Sequence, residues 1–205
     1  MSEPARGTRV EGEEIRGEDW YAEDLAARTW VDCTFTDVDL TEARSRGATF
    51  ERCVFAGCRL NASLHTATAF VGCDFRRTSL FGATLDGCKL TGSVFSECVL
   101  RPLTVTGGVW RGITLRGTAL TGLDLTGVDL READLSLSDL TGAVLRDCRL
   151  DGATLRETTL VDAELRGATL DGADLATATL RRTHLDLAGA VHLATLHGAV
   201  VDPTG

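Results

Sequence analysis

An apolar residue recurs at every fifth position through most of the chain. From Leu115 to Leu185 this position is leucine without exception, and no residue is inserted or lost in the run. A helix would repeat its apolar positions about every 3.6 residues and a strand every second residue, so neither element explains the period. A fixed short period indicates a repeat architecture, in which each unit buries its apolar side by stacking on its neighbours.

The repeat is already present at Ile15 and Trp20, and it has an inner structure. We call the apolar fifth residue the centre. The residue two places before it is small, and all seven cysteines lie there. Because alternate residues of an extended chain point to the same side, we expect both positions to face a narrow, filled interior without a pocket. Of the 22 glycines, 16 lie two residues after a centre between Ile15 and Leu185, where a tight turn favours glycine.

Two polar residues interrupt the centres. Ser45 and His65, which lie 20 residues apart, are the only polar centres between Ile15 and Leu185.

The repeat divides the chain into three parts. Residues 1–12 are polar and aperiodic, which predicts a disordered tail, and residues 13–185 form the repeat domain. Residues 186–205 contain a predicted short helix, with Asp186 as its N-cap and Gly198 beyond its end. This helix either covers the last coil or also builds a homodimer. The candidate dimer residues are Leu187, Val191, Leu193, Ala194 and Leu196.

Composition excludes several function classes. The net charge of −9 disfavours direct nucleic-acid binding, which needs a basic surface. No apolar stretch is long enough to span a membrane and no secretion signal is present, so we expect a cytoplasmic protein. We expect no metal, no cofactor and no enzymatic activity.

The repeat resembles a known family. Ala-Asp-Leu at 133–135 and 173–175, with Ala-Thr-Leu at 168–170, is similar to the pattern of pentapeptide-repeat proteins. The resemblance implies an all-β solenoid, a right-handed quadrilateral β-helix with four pentapeptides per coil and a short C-terminal α-helix. Residues 20 apart would then lie directly above one another. Ile15, Trp20 and Leu25 would add most of one coil at the N-terminus.

The same coil length would place other residues in columns. Ser45 and His65 would stack, either around a local bulge or as a satisfied polar pair. Cys33, Cys53 and Cys73 would form a straight column, which suits buried filler better than a tetrahedral metal site.

The order of residues resembles one branch of that family. Segments 92–104, 122–132 and 194–198 are similar to proteins of the MfpA and Qnr type, without the inserted loops of the Qnr proteins. The resemblance implies an acidic DNA mimic that binds DNA gyrase, a type II topoisomerase. Such a protein inhibits supercoiling or protects the enzyme from fluoroquinolones and other toxins. A structural or adaptor scaffold with an unrelated protein partner is the alternative.

Charge is concentrated where such a mimic would need it. Residues 121–175 carry twelve acidic residues against five arginines, whereas residues 76–120 carry six basic residues against two acidic ones. An acidic surface would steer the protein to a basic groove. The same charge could simply keep a regular rod soluble. The candidate partner-binding residues are Asp124, Asp129, Glu132, Asp134, Asp139, Glu164, Asp171 and Asp174.

Overall fold

The computed structural model describes residues 7–202. In that range the chain forms thirteen short strands and one helix, α1 (Leu187–Leu196). The strands are β1 (Arg9–Glu11), β2 (Glu14–Arg16), β3 (Thr29–Val31), β4 (Thr34–Thr36), β5 (Arg44–Arg46), β6 (Thr49–Glu51), β7 (Val54–Ala56), β8 (Leu64–Thr66), β9 (Ala69–Val71), β10 (Asp74–Arg76), β11 (Ala83–Asp86), β12 (Val94–Ser96) and β13 (Leu103–Thr106). Each strand is the extended part of one five-residue repeat.

The strands pair in parallel with partners 20 residues away. One sheet has the order β1-β3-β6-β9, a second β2-β4-β7-β10-β12, and a third β5-β8-β11-β13. A further ladder of isolated bridges connects Asp19, Asp39 and Arg59. The chain is therefore a four-sided parallel β-solenoid, as predicted. We number its faces in chain order: face one holds β1, face two β2, face three the Asp19 ladder and face four β5.

Beyond Thr106 the solenoid continues with single bridges instead of strands. The 20-residue spacing persists to the pair Glu164 and His184. The residue two places after a centre forms the corner and usually has a positive φ, such as +67° at Gly122 and +62° at Leu137. Glycine adopts this conformation without a Cβ clash, which explains its frequency there.

The interior is filled, with a large and a small residue alternating inward. In the N-terminal half, aromatic rings stack from coil to coil: Trp30 on Phe50 at 4.6 Å, and Phe35 on Phe55 at 4.8 Å between ring centroids. From Leu115 onward leucines replace the rings, and those through Leu175 are buried. Six of the seven cysteines are buried, and Cys98 is half-buried. Burial of these columns supplies most of the driving force for folding.

The two polar centres form a satisfied pair. Ser45 and His65 are directly aligned in β5 and β8, and Ser45 Oγ lies 2.7 Å from His65 Nδ1. The other ring nitrogen lies 3.0 Å from Ser63 Oγ, and Ser45 also contacts Thr68 Oγ1 at 2.6 Å. Because the register is regular there, the expectation of a polar pair is confirmed and no bulge is needed.

The solenoid starts earlier than predicted. The proposed tail 1–12 includes β1, which pairs with β3 through Val10 and Trp30. The prediction of an aperiodic tail is wrong for residues 9–11, because Val10 is a centre that the charged residues around it concealed. Residues 1–6 lie outside the described range.

The helix α1 follows the last repeat. Its N-cap is Asp186, as predicted, and the carboxylate accepts a hydrogen bond from Gly189 N at 2.9 Å. Gly189 is buried against Leu185 and Leu170, and His192 Nε2 lies 3.0 Å from Ala173 O. The helix thus packs on the final coil. Within residues 7–202, no helix is long and apolar enough to cross a membrane.

The expectation of a solenoid without a pocket is wrong at one place. A surface cleft of about 560 Å³ opens between residues 101–105 and residues 121–124. The reason is an interruption of the ladder of bridges between two coils.

Candidate partner-binding surface

Four of the predicted acidic residues lie on successive faces of one coil. Asp124 is on face four, Asp129 on face one, Asp134 on face two and Asp139 on face three, each immediately before its centre. Glu164 follows Asp124 by two coils, and Asp174 follows Asp134 by two coils. The acidic residues therefore surround the C-terminal half of the rod and do not form one stripe.

Arginines neutralise half of the predicted set. Asp129 is only 8% exposed and binds Arg131 at 2.6 Å, and Glu132 binds Arg111 at 2.5 Å. Asp174 lies 3.7 Å from Arg156.

Glu164 is the most strongly paired of the set. It contacts Arg166 at 2.5 Å and Arg146 at 3.2 Å. Its hydrogen bonds, first of all with Arg166, lower the pKa of the Glu164 carboxyl to about 2. Such pairs offer little free negative charge to a partner.

The other predicted residues keep their charge. Asp124 accepts hydrogen bonds from Thr126 N and Oγ1, and Asp139 from Thr141 N and Oγ1. These bonds, first those from the threonine side chains, lower the pKa of both carboxyls, so both are ionised at neutral pH. Among residues 7–202, no arginine or lysine forms a salt bridge with Asp124, Asp134, Asp139 or Asp171.

One acidic residue was missed. Asp151 precedes Asp171 by one coil on face one, accepts from Thr169 Oγ1 at 2.7 Å and contacts Asp171 N at 3.2 Å. It extends the free negative charge of Asp171 along that face. Its spacing of 20 residues from Asp171 is the sequence signal that could have identified it.

The candidate dimer residues are unequally exposed. Leu187 is 81% exposed and Leu196 37%, whereas Val191, Leu193 and Ala194 are half-buried. Leu180 and Leu185 in the last coil are only partly buried, although the helix packs on that coil. A single helix thus leaves apolar surface at this end of the rod.

The column of Cys33, Cys53 and Cys73 lies buried in the filled interior. Burial raises the pKa of the Cys33 thiol, which favours its protonated form. Cys73 Sγ lies 3.3 Å from Phe50 O, a contact of a thiol that acts as a weak donor. Within the described part of the chain, no group of three or more His, Cys, Asp or Glu side chains is arranged to hold a metal ion.

Comparison with known proteins identifies the repeat. The model of the family "Pentapeptide repeats" matches residues 31–63, 66–97, 111–147 and 148–186. The pentapeptide repeat protein MfpA of Mycobacterium tuberculosis is 42% identical over 60 residues. That match covers 27% of this chain and spans only a third of the relative's length.

A solved structure shows the same fold. HetL of Nostoc, a pentapeptide repeat protein involved in heterocyst differentiation regulation, is 21% identical and superposes with a TM-score of 0.51 over 87% of this chain and 90% of its own. QnrB1, a plasmid-mediated fluoroquinolone resistance protein, is 19% identical with a TM-score of 0.44 over 95% and 100% of the two chains, a score too low to indicate shared function. The five-residue period, the 20-residue coil and the family match over most of the chain agree: this chain belongs to the pentapeptide-repeat family.

Proposed function

We propose that this protein binds DNA gyrase, a type II topoisomerase, as an acidic mimic of DNA. Binding would inhibit supercoiling or protect the enzyme from fluoroquinolones and other gyrase toxins. The proposal extends to a homodimer formed through the C-terminal helix, a cytoplasmic location beside its partner, and no catalysis by this chain. The resemblance to the MfpA and Qnr type motivates it, and one observation in the structure supports it most.

That observation is the free negative charge around the C-terminal half of the rod. Asp124, Asp134, Asp139 and Asp171 form no salt bridges in the described residues, and they lie on all four faces. A groove that binds DNA is lined by lysine and arginine, because phosphate neutralisation supplies most of its affinity. Unpaired carboxylates on a rigid rod would be attracted to such a groove over long distances.

The mimicry is electrostatic and does not reproduce DNA atom by atom. Paired strands are spaced by about 4.8 Å, whereas phosphates along one strand of a duplex are about 3.4 Å apart. The carboxylates would therefore not align with basic residues that each contact a single phosphate. A partner whose basic residues are on flexible side chains would tolerate the difference.

The experiment is gyrase supercoiling against a titration of the purified protein, with a charge-reversal variant. Asp134→Arg with Asp139→Arg removes two free carboxylates on neighbouring faces. We expect the inhibitory concentration to rise roughly tenfold or more, because complementary charge is replaced by like charge. The same assay with a fluoroquinolone measures relief of the drug-stabilised cleavage complex.

The repeat offers a matched control. Glu14 and Asp19 occupy the corresponding positions on faces two and three, 120 residues earlier. The variant Glu14→Arg with Asp19→Arg changes the net charge equally but leaves the C-terminal half intact, so inhibition should be retained. Equal loss in both variants would indicate a nonspecific charge effect. No inhibition by the unaltered protein would refute the proposal.

The adaptor scaffold is supported by a different observation. Arginines already neutralise Asp129, Glu132 and Glu164, as expected of a surface that serves solubility and stability. In that case the protein would leave supercoiling and drug sensitivity unchanged at micromolar concentration, and its partner would bind another part of the rod.

A further inference from the structure

The ladder between coils is interrupted on two faces. On face three the bridges stop at Val99 and resume at Ala119, and on face four they stop at β13 and resume at Asp124. Faces one and two continue without interruption, through Val94 with Thr114 and Val109 with Asp129. The two coils therefore remain joined along one side and separate along the other.

Hydrogen bonds across the interruption are missing. Leu80 N donates to Val99 O at 2.8 Å and Leu120 N to Asp139 O at 2.8 Å, but the equivalent Leu100 N has no such acceptor within residues 7–202. Gly87 N and Gly127 N are paired in the same way, at 2.9 and 2.8 Å, and Gly107 N is not. Unpaired strand edges of this kind are templates for another strand.

Two features of the sequence account for the interruption. On face four, the inward residue two places before the centre is small in most coils. It is Ala43, Ser63 and Ala83 earlier in the rod, and Ala143 and Ala163 later. In between it holds Leu103 and Leu123, one directly above the other, so two large side chains occupy space meant for small ones.

A proline adds to this effect. Pro102 occupies a corner position of the coil. The corners before and after it, Glu97 and Gly107, have φ values of +55° and +57°. Proline holds φ near −65° and cannot adopt that turn. The family match is also interrupted here, between residues 97 and 111. The irregular coil therefore has its cause in the sequence.

The interruption opens the cleft of about 560 Å³. Residues 101–105 form one wall and residues 121–124 the other, and Leu103, Val105 and Leu123 contribute apolar surface. In chain order, Arg101 is the first residue of one wall and Asp124 the last residue of the other, so their charges are three positions apart along the coils. Among the described residues neither forms a salt bridge, although Arg101 helps to lower the pKa of Asp139 electrostatically, after the hydrogen bonds from Thr141 and Thr121.

We propose that this cleft binds an extended peptide segment of a partner protein, as an added strand between the two coils. The main chain of a peptide can form hydrogen bonds with several successive groups of these open strand edges, which a small molecule cannot do. A parallel strand would place an acidic residue at Arg101 and a basic residue three positions later at Asp124, with a small apolar side chain between them. The charges at the two ends fix its direction.

The probe is the N-acetylated heptapeptide Val-Glu-Gly-Val-Lys-Val-Thr, which carries that pattern with glycine at the corner and reaches the position that pairs with Gly107 N. Its control is Val-Lys-Gly-Val-Glu-Val-Thr, with the charges exchanged. Amide exchange by NMR on the full chain is the readout. In the free protein, we expect the Leu100 and Gly107 amides to exchange at least roughly tenfold faster than those of Leu80, Leu120, Gly87 and Gly127.

Adding the probe should slow exchange at Leu100 and Gly107, and the control peptide should bind roughly tenfold more weakly. Arg101→Glu should reduce or reverse this preference without changing the fold, because Arg101 is exposed. Leu103→Ala with Leu123→Ala should close the ladder, protect both amides and abolish binding. Ile113→Ala, on the uninterrupted face two, should leave binding unchanged.

Four results would overturn the proposal. Protection of Leu100 and Gly107 in the free protein would mean that the ladder closes in solution. Absence of binding at millimolar peptide, or equal binding of both peptides that Arg101→Glu does not alter, would exclude a charge-directed strand site. Binding of small apolar solutes alone would indicate a different kind of ligand. None of these readouts depends on gyrase, so this test and the supercoiling assay can fail separately.

Discussion

At the scale of single residues, His65 is the least expected member of the core. It is buried, and both ring nitrogens lie within hydrogen-bond distance of serine hydroxyls. Ser63 Oγ donates to Leu60 O at 2.7 Å, so it must accept from His65 Nε2. His65 Nε2 therefore carries a proton. Burial lowers the pKa of the ring and favours its neutral form, in which Nδ1 can accept from Ser45 Oγ.

This environment predicts a pH dependence of stability. Burial lowers the pKa of His65 to about 4, against about 6.5 in the unfolded chain. Between these values the unfolded state binds a proton that the folded state does not. The free energy of unfolding should thus be largest above pH 6.5 and fall by roughly 3 kcal/mol as the pH drops to 4.

Urea denaturation at pH 7.5, 6 and 5 measures this effect. His65→Leu supplies an ordinary centre residue and should lose the part of the slope between pH 5 and 6.5, whatever its absolute stability. Carboxylates that titrate at lower pH remain in both proteins and cancel in the comparison. Identical slopes would show that His65 does not titrate as inferred.

At the scale of elements, α1 depends on one carboxylate. Asp186 accepts from Gly189 N inside the helix and from Gly167 N in the coil below, each at 2.9 Å. The same side chain caps the helix and attaches it to the solenoid. Gly189 allows the close approach, because a Cβ there would lie 3.1 Å from Leu185 Cδ2.

Asp186→Ala should loosen the helix while the solenoid stays folded. A lost N-cap costs about 1 kcal/mol, so the Ala190 amide, which bonds to Asp186 O, should exchange roughly fivefold faster. Asp186→Asn keeps a side-chain acceptor and serves as the control. Unchanged exchange in the alanine variant would mean that packing alone holds the helix.

At the scale of the whole molecule, the two ends of the rod differ. The N-terminal end has partly buried centres, Val10, Ile15 and Trp20, surrounded by acidic residues. The C-terminal end has the exposed Leu187 and half-covered leucines of the last coil. Apolar surface that one helix leaves open is well suited to a symmetric contact with a second copy.

Leu187→Arg should therefore convert a dimer to a monomer. Light scattering should give twice the chain mass of 21.8 kDa for the unaltered protein and the chain mass for the variant. Phe81→Arg is the control, since Phe81 is also exposed, at 54%, but lies far along the rod. A monomer before any substitution would refute the dimer and leave α1 as a cap.

Much of this protein is determined by local sequence. The five-residue period identifies the centres, the small inward residues and the glycine corners. The family resemblance adds the coil of 20 residues, which places Ser45 on His65. The helix followed from its N-cap and from the end of the period. These features depend on which residue stands at which position of one repeat.

Tertiary structure decided what depends on several repeats together. Arginines reach carboxylates about one coil away, as Arg111 reaches Glu132 and Arg146 reaches Glu164, so the side-chain conformations determine which charges stay free. The start of the solenoid at β1 could be recognised only from the pairing of β1 with β3. The cleft arises because Leu103, Leu123 and Pro102 act jointly across two coils, and no single repeat contains that information.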